Sequence, residues 1–239
     1  MAYFLVTGTE GNAVIAARDV NDNIIWSWHI WVTDDPAEQI YNTNEGKTFS
    51  VMDRNLGSIS AVMGENGGSL YYQWGRKDPF RLNEMYELVK INTNPFSYMS
   101  EAIAAPTTHP TGGDYWVLNH SPQFWSKSVK TIYDPCPVGW KVPGSEIWSG
   151  MRTLLDCDGQ ENRAYAYGVV FGFADSDHFW YPDTPRFDST GAREGGYTDD
   201  STELWAAEDG ISCFLNYNSN STQTRSRIDC HPVRCVKDE

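Results

Sequence analysis

Cysteine carries the most versatile chemistry in this chain: disulfide formation, nucleophilic attack and metal ligation. The 239 residues contain five cysteines, Cys136, Cys157, Cys213, Cys230 and Cys235, all at or beyond position 136. No CxxC pair occurs, and the spacing of Cys230 and Cys235 lacks a second Cys/His pair at zinc distance. Cys136 sits in Asp134-Pro135-Cys136-Pro137-Val138-Gly139-Trp140-Lys141-Val142-Pro143, and Cys235 in the terminal Pro232-Val233-Arg234-Cys235-Val236-Lys237. Each lies in or beside a strand-like run. A Cys136–Cys235 bond closes a loop of about 100 residues and stabilises the fold by about 4–5 kcal/mol in the chain-entropy account. Such a bond points to an oxidising compartment. An odd cysteine count leaves at least one thiol over.

A reactive thiol needs an electropositive, partly exposed setting. Cys230, beside His231 with Arg227 and Arg234 near in sequence, is the candidate, with a disulfide to Cys213 or a plain free thiol as its other fates. Asp175 and Asp177, followed by His178, have the composition of a glycosidase acid pair, yet read more simply as turn residues. Tyr181-Pro182-Asp183 and Asp199-Asp200 offer oxygens for calcium, but neither Glu-Pro-Asn nor Gln-Pro-Asp occurs and solvated loop acids are the plainer reading. No Gly-x-Ser-x-Gly elbow is present. We therefore expect no catalytic residue, no metal and no cofactor.

Recognition is the better-supported chemistry. Between Asp175 and Asp229 aromatics interleave with amides, hydroxyls and charges, the side chains that give broad contact and adaptable hydrogen bonding at modest entropy cost. The expected ligand-binding residues are Trp180, Tyr181, Asp183, Arg186, Tyr197, Asn216, Tyr217, Asn218, Asn220, Arg225, Arg227 and His231. Trp205 reads as core.

The elements that must hold these residues are mainly short strands. Tyr3–Val6, Asn12–Asp19 and Ile24–Val32 read as a meander, with Val20-Asn21-Asp22-Asn23 as a hairpin turn. Alternation in the third strand puts Trp26, Trp28, Ile30 and Val32 on an aromatic core face and Ile25, Ser27, His29 and Trp31 on a mixed one. Thr48–Gly57 is a further strand with a polar turn. Residues 81–131 read as a long surface excursion with a short helix near Phe96–Ala105. Gly144–Leu155 gives the best helix, capped by Ser145, with Ile147, Met151, Leu154 and Leu155 on one face. Strands follow at Tyr165–Phe173 and Ile211–Tyr217, separated by a polar, Gly- and Asp-rich loop.

Composition narrows the partners. Net charge is −14, from 32 acidic and 18 basic residues, so no large basic surface is available for nucleic acid. No run approaches the length of a membrane span. Ten Trp, 13 Tyr and 10 Phe, with 20 Gly and 12 Pro, favour short strands and ordered loops over helix bundles. The first eight residues lack the charged and apolar regions of a signal peptide, so export, which the cysteines favour, implies an expressed fragment.

Four segments in order carry a resemblance: Val51-Met52-Asp53-Arg54-Asn55-Leu56-Gly57, Tyr71-Tyr72-Gln73-Trp74-Gly75-Arg76-Lys77-Asp78-Pro79-Phe80, the Tyr133–Pro143 run, and Pro232–Lys237. Together they resemble the Fibrobacter succinogenes major paralogous domain, a family of surface and fimbria-associated proteins of Bacteroidetes. The resemblance implies an α+β, C-type-lectin-like fold of mostly antiparallel short strands, one or two helices and long ordered loops. It divides the chain into an N-terminal strand lead-in at 1–47, packed on the domain, and the domain itself at 48–239. It further implies a non-catalytic adhesin or ligand-binding protein, extracellular or on the cell surface, that recognises a glycan or protein through its C-terminal-half loops and contacts other fimbrial or surface subunits. The alternatives are a retroelement-diversified receptor-binding protein varying at Asn216–His231 and, more distantly, an oxidative enzyme like the formylglycine-generating relatives. The chain departs from the family pattern at Leu204-Trp205-Ala206-Ala207 and at Cys230-His231, so ligand specificity does not carry over.

Overall fold

The computed structural model describes residues 8–65, 67–83, 87–89, 91–119, 124–153, 168–173, 178–195, 201–216 and 219–238. Among the described residues most elements are short antiparallel strands gathered into several small sheets, with one short helix, Met99–Ala104 (α1). The exceptions in direction are two parallel pairs, Ile91–Asn92 with His109–Pro110 and Phe96–Tyr98 with Val117–Asn119. They fall in the stretch expected to be a surface excursion, and α1 lies within the Phe96–Ala105 window expected for a helix.

Strands β1 (Gly11–Arg18) and β2 (Ile24–Val32) form a ribbon. Its turn is built as the sequence suggests: Asp22 takes a left-handed φ of 68°, and the Asp19 carboxylate accepts the Asn21 and Asn23 N–H groups at 2.9 Å. The inward face differs from expectation. Ser27, His29 and Trp31 meet the body of the protein, while Trp28 stays half-exposed. The mixed face wins because it finds partners: Ser27 Oγ donates to Asp78 at 2.8 Å and Trp31 Nε1 to the Ser58 carbonyl at 3.2 Å. Tyr3–Val6 lies outside the described residues.

Strand β3 (Glu38–Asn42) turns back at Thr43–Lys47 onto β4 (Thr48–Met52). The 47/48 boundary expected between lead-in and domain therefore falls at the end of a hairpin turn within one sheet. That sheet continues from β4 to Val236–Lys237 and then to Trp140–Lys141. First and last strands of the 48–239 unit are thus neighbours, and Cys136 and Cys235 are bonded beside them with Cα atoms 5.9 Å apart.

The terminal segment runs through the middle of the molecule. Cys235 and Val233 carbonyls accept from Met52 and Leu56, Pro232 accepts from Trp205, and Cys230–His231 pairs with both Tyr72–Gln73 (β5) and Arg186–Phe187. Two large clusters flank it: one around Trp74, Trp116, Phe124 and Val233, the other around Tyr41, Trp148, Phe171 and Leu215. Gly75 permits the first, since at φ +85° a Cβ there would stand 2.5 Å from Phe124.

Two expectations fail locally. Gly144–Leu155 is not a helix: Ser145–Trp148 makes one 3-10 turn, Gly150 has φ +77°, and Arg152–Thr153 joins a sheet. Ser145 caps nothing; its N–H and hydroxyl donate to Glu208. Ile147 and Met151 are buried through the turn and not along a helical face, and Leu154 and Leu155 lie outside the described residues. The loop expected between Phe173 and Ile211 contains strands Phe179–Pro182, Arg186–Phe187, Arg193–Glu194 and Ser201–Trp205. At two to five residues apiece, broken by Pro and Gly, they are too short to show a period.

Cys213 and Cys230 are free, buried thiols, so the Cys213–Cys230 disulfide weighed above does not form. Cys157 lies outside the described residues. Five cysteines less the two in the clasp leave three. Alkylation of the unreduced protein in denaturant is expected to count three thiols, and Cys136→Ser to lower stability by about 4–5 kcal/mol in urea titration. A count of five would contradict the clasp.

Candidate functional site

The residues that carry the resemblance are spent on the frame. Arg54 is clamped between Asp53, at 2.9 Å, and Asp34. Arg76 donates to Gln73 and to the Ala105, Pro106 and Thr108 carbonyls, and burial lowers its pKa to about 10. Asp134 accepts the Cys136 and Val142 N–H groups and Lys130. Arg234, fully buried, donates to Asn55 at 3.0 Å and to the Trp180 carbonyl at 2.9 Å, its guanidinium 3.7 Å from the Tyr181 ring centre. Arg76 and Arg234 are thus held by carbonyl and amide oxygens, which replace part of the hydration each guanidinium loses on burial.

The expected ligand-binding residues divide sharply. Trp180, Tyr181, Asp183 and His231 are buried. Tyr181 shares its hydroxyl with Tyr41 and Trp148, at 2.7 and 2.9 Å, and Trp180 Nε1 donates to the Glu65 carbonyl. The ring of His231 stands edge-on to Trp205, 4.3 Å between centres. A ligand cannot reach these side chains on the folded surface. Asn220 is half-buried and donates to the Trp148 and Met151 carbonyls; Asn216 ends its strand half-buried. Tyr197, Tyr217 and Asn218 lie outside the described residues.

Arg186, Arg225 and Arg227 do reach solvent, each partly buried. Arg227 bridges Asp209, at 2.8 Å, and Asp114 beneath Tyr115. Arg186 and Arg225 converge on a residue not expected from sequence, Glu203. Arg225 grips its carboxylate with two nitrogens at 2.7 and 3.1 Å, and Arg186 Nε lies 3.3 Å away while its other end pairs with the exposed Glu194. Glu203 belongs to Ser201–Trp205, buried along its whole length, and Ser212 also donates to it. Burial would raise this carboxyl; His231, the Arg225 hydrogen bonds and Ser212 outweigh it and hold the pKa below the ordinary glutamate value. Only the placement of an acid inside the Leu204-Trp205 strand hinted at this role.

Asp229 lies beside this cluster, its Oδ1 buried without a hydrogen-bond partner among the described residues. Burial raises its pKa to about 7, against the pull of Arg186 and Arg225. His231 moves the other way, to about 4, again through burial. The His231 ring is buried beside the Glu203 backbone, and the His109 ring, edge-on to Phe80 with 5.1 Å between centres, beside that of Ile228. This ionic face, Arg186, Glu194, Glu203 and Arg225 above Asp229 and His231, is the candidate site. Its two accessible guanidiniums and the exposed Glu194 can exchange their mutual pairing for a ligand's hydroxyls or carboxylate. Among the described residues no group of three or more His, Cys, Asp or Glu is arranged to hold a metal ion, and no helix is long and apolar enough to cross a membrane.

No family model, no curated protein and no solved structure matches the chain.

The pKa directions predict opposed pH responses. His29, His109 and His231 all fall to about 4 when folded. The unfolded chain takes up their protons first, so their contribution is lost as pH falls from about 6.5 towards 4. Asp229 is raised, so its contribution is complete at low pH and lost as pH rises through about 7. Urea midpoints are expected to fall between pH 6.5 and 4, and Asp229→Asn to stabilise the protein more at pH 8 than at pH 5. Equal effects of Asp229→Asn at both pH values would contradict this assignment.

Proposed function

We propose that this protein is a non-catalytic ligand-binding domain of C-type-lectin-like fold, related to the major paralogous domain family and displayed at the cell surface or on a fimbria. It engages a glycan or a protein surface through loops of its C-terminal half, beside other surface or fimbrial subunits. The observation that carries the reading is the division of labour among charged residues. Arg54, Arg76, Asp134 and Arg234, all within the resembling segments, are committed to the interior. Arg186, Glu194 and Arg225 gather on one accessible face of the C-terminal half.

The alternatives find less support. Thiol chemistry of the oxidative-enzyme kind would draw on Cys213 or Cys230, and burial raises the pKa of both. A diversified segment at Asn216–His231 would have to vary Ile228, Asp229, Cys230 and His231, which are buried, so substitutions there would be limited by packing.

Glycan-array binding, repeated with EDTA, tests the proposal. Binding that survives EDTA is expected, and Glu194→Ala together with Arg186→Lys is expected to weaken it about tenfold, the scale of one charged hydrogen bond, with the urea midpoint of Glu194→Ala unchanged. Binding unaffected by both variants would move the site elsewhere. Turnover that depends on a free thiol would overturn the reading.

A further inference from the structure

Glu203 draws two guanidiniums to one point from inside the protein. Its side chain is 3% exposed, and it takes Nε and Nη2 of Arg225 together with Nε of Arg186. Any further pairing must therefore use Nη1 of Arg225 and the terminal nitrogens of Arg186, on side chains 24% and 22% exposed. One carboxylate already does so. Glu194 stands directly across the strand pair from Arg186, with Oε2 on Arg186 Nη2, and its charge acts on Arg225 as well. At 43% exposure Glu194 is the outermost of the four. An ion pair so near solvent contributes little and exchanges easily. Glu194 thus marks where a carboxylate arriving from outside would sit.

Charge sets the kind of anion. Arg186 and Arg225 against Glu203 carry two positive charges to one negative, so a single monoanion completes the balance. Asp188 accepts from Thr190 and Ala192 within its own turn, and burial keeps Asp229 protonated below about pH 7. A dianionic phosphate would overfill this site, in a chain of net charge −14. A planar carboxylate matches the guanidinium fork.

The surroundings decide what carries that carboxylate. Two residues along the chain from Arg225, Arg227 lies between the exposed Asp209 and Asp114 and against the Tyr115 ring. Exposed acids accept hydrogen bonds, and sugar hydroxyls donate them. An acidic peptide would instead bring further carboxylates against Glu194, Asp209 and Asp114, which like-charge repulsion opposes. An acidic sugar brings one carboxylate among several hydroxyls.

We propose that this face selects a carboxylated sugar, a uronic or sialic acid residue, whose carboxylate displaces Glu194 from Arg186 and reaches Arg225 while its hydroxyls bond the exposed acids. The inference rests on the ligand-binding reading of the same face and names its ligand. Glu194 is then a built-in competitor that the ligand must displace.

A glycan array that sets each carboxylated glycan beside its methyl ester tests this, with uronates and sialates as separate arms. Binding in at least one acidic arm is expected, falling tenfold or more on esterification, the scale of a charged hydrogen bond. In calorimetric titration of the full chain with the tightest acidic glycan, Glu194→Gln should strengthen binding about threefold by removing the competitor. Arg186→Lys should weaken it about thirtyfold, and outweigh the gain when both positions are changed. Arg225 still holds Glu203 in either variant, so urea midpoints should stay close to the parent's. Equal binding of acid and ester, a preference for sulfated glycans or for polyglutamate, or weaker binding by Glu194→Gln would each overturn the inference. Binding of neutral glycans that still depends on Arg186 would overturn it and leave the broader reading standing. No binding to any glycan would overturn it too, and confine the broader reading to a protein ligand.

Discussion

The constraint on which the rest depends is the burial of residues 228–236. Here Ile228–Lys237 passes between the two large hydrophobic clusters and pairs in turn with β5, Arg186–Phe187, Trp205, Leu56, Met52 and β4. It lies on a frame that the Cys136–Cys235 bond ties to the Asp134–Pro143 run. Arg234 adds a fixed point by donating to Asn55 and the Trp180 carbonyl. The terminal segment supplies a strand to each of the two four-stranded sheets and a carbonyl to Trp205 of a third, and so ties these three together.

This arrangement explains the buried polar residues. Short strands leave many backbone carbonyls without ladder partners, and a buried unpaired carbonyl is costly. Arg76 takes three of them, at Ala105, Pro106 and Thr108, while Gln73 takes Pro110 and Ile228. Trp74, Trp116 and Trp205 donate their indole N–H to Ala206, Trp74 and Tyr72 carbonyls. The abundance of tryptophan is thus partly a hydrogen-bonding device: each ring fills core volume and satisfies one orphan acceptor.

Legibility from sequence followed the range of the forces involved. The clasp, the hairpin at Val20–Asn23, the strand at Ile211–Asn216 and the short helix were readable because local turn chemistry, period or paired motifs define them. The inward face of β2 was not, since the choice between its two apolar-rich faces is made by Asp78 and the Ser58 carbonyl, distant in sequence. For the site, Arg186 and Arg225 were legible as types, but Glu203, their common partner, was hidden inside a buried strand. Trp180, Tyr181 and His231 have the composition of binding residues and serve as core, because composition cannot tell an aromatic that faces a ligand from one that faces Tyr41 or Trp205.

Native-state hydrogen exchange tests the central role of the terminal segment most directly. Amides of Cys230, Cys235 and Val236 should exchange only through global opening, in step with the strands Ser201–Trp205 and Ile211–Asn216, so that a single free energy describes all of them. Exchange of these amides at markedly lower free energy, with strands Ser201–Trp205 and Ile211–Asn216 still protected, would contradict the account, because residues 228–237 would then be a detachable strap and not the seam.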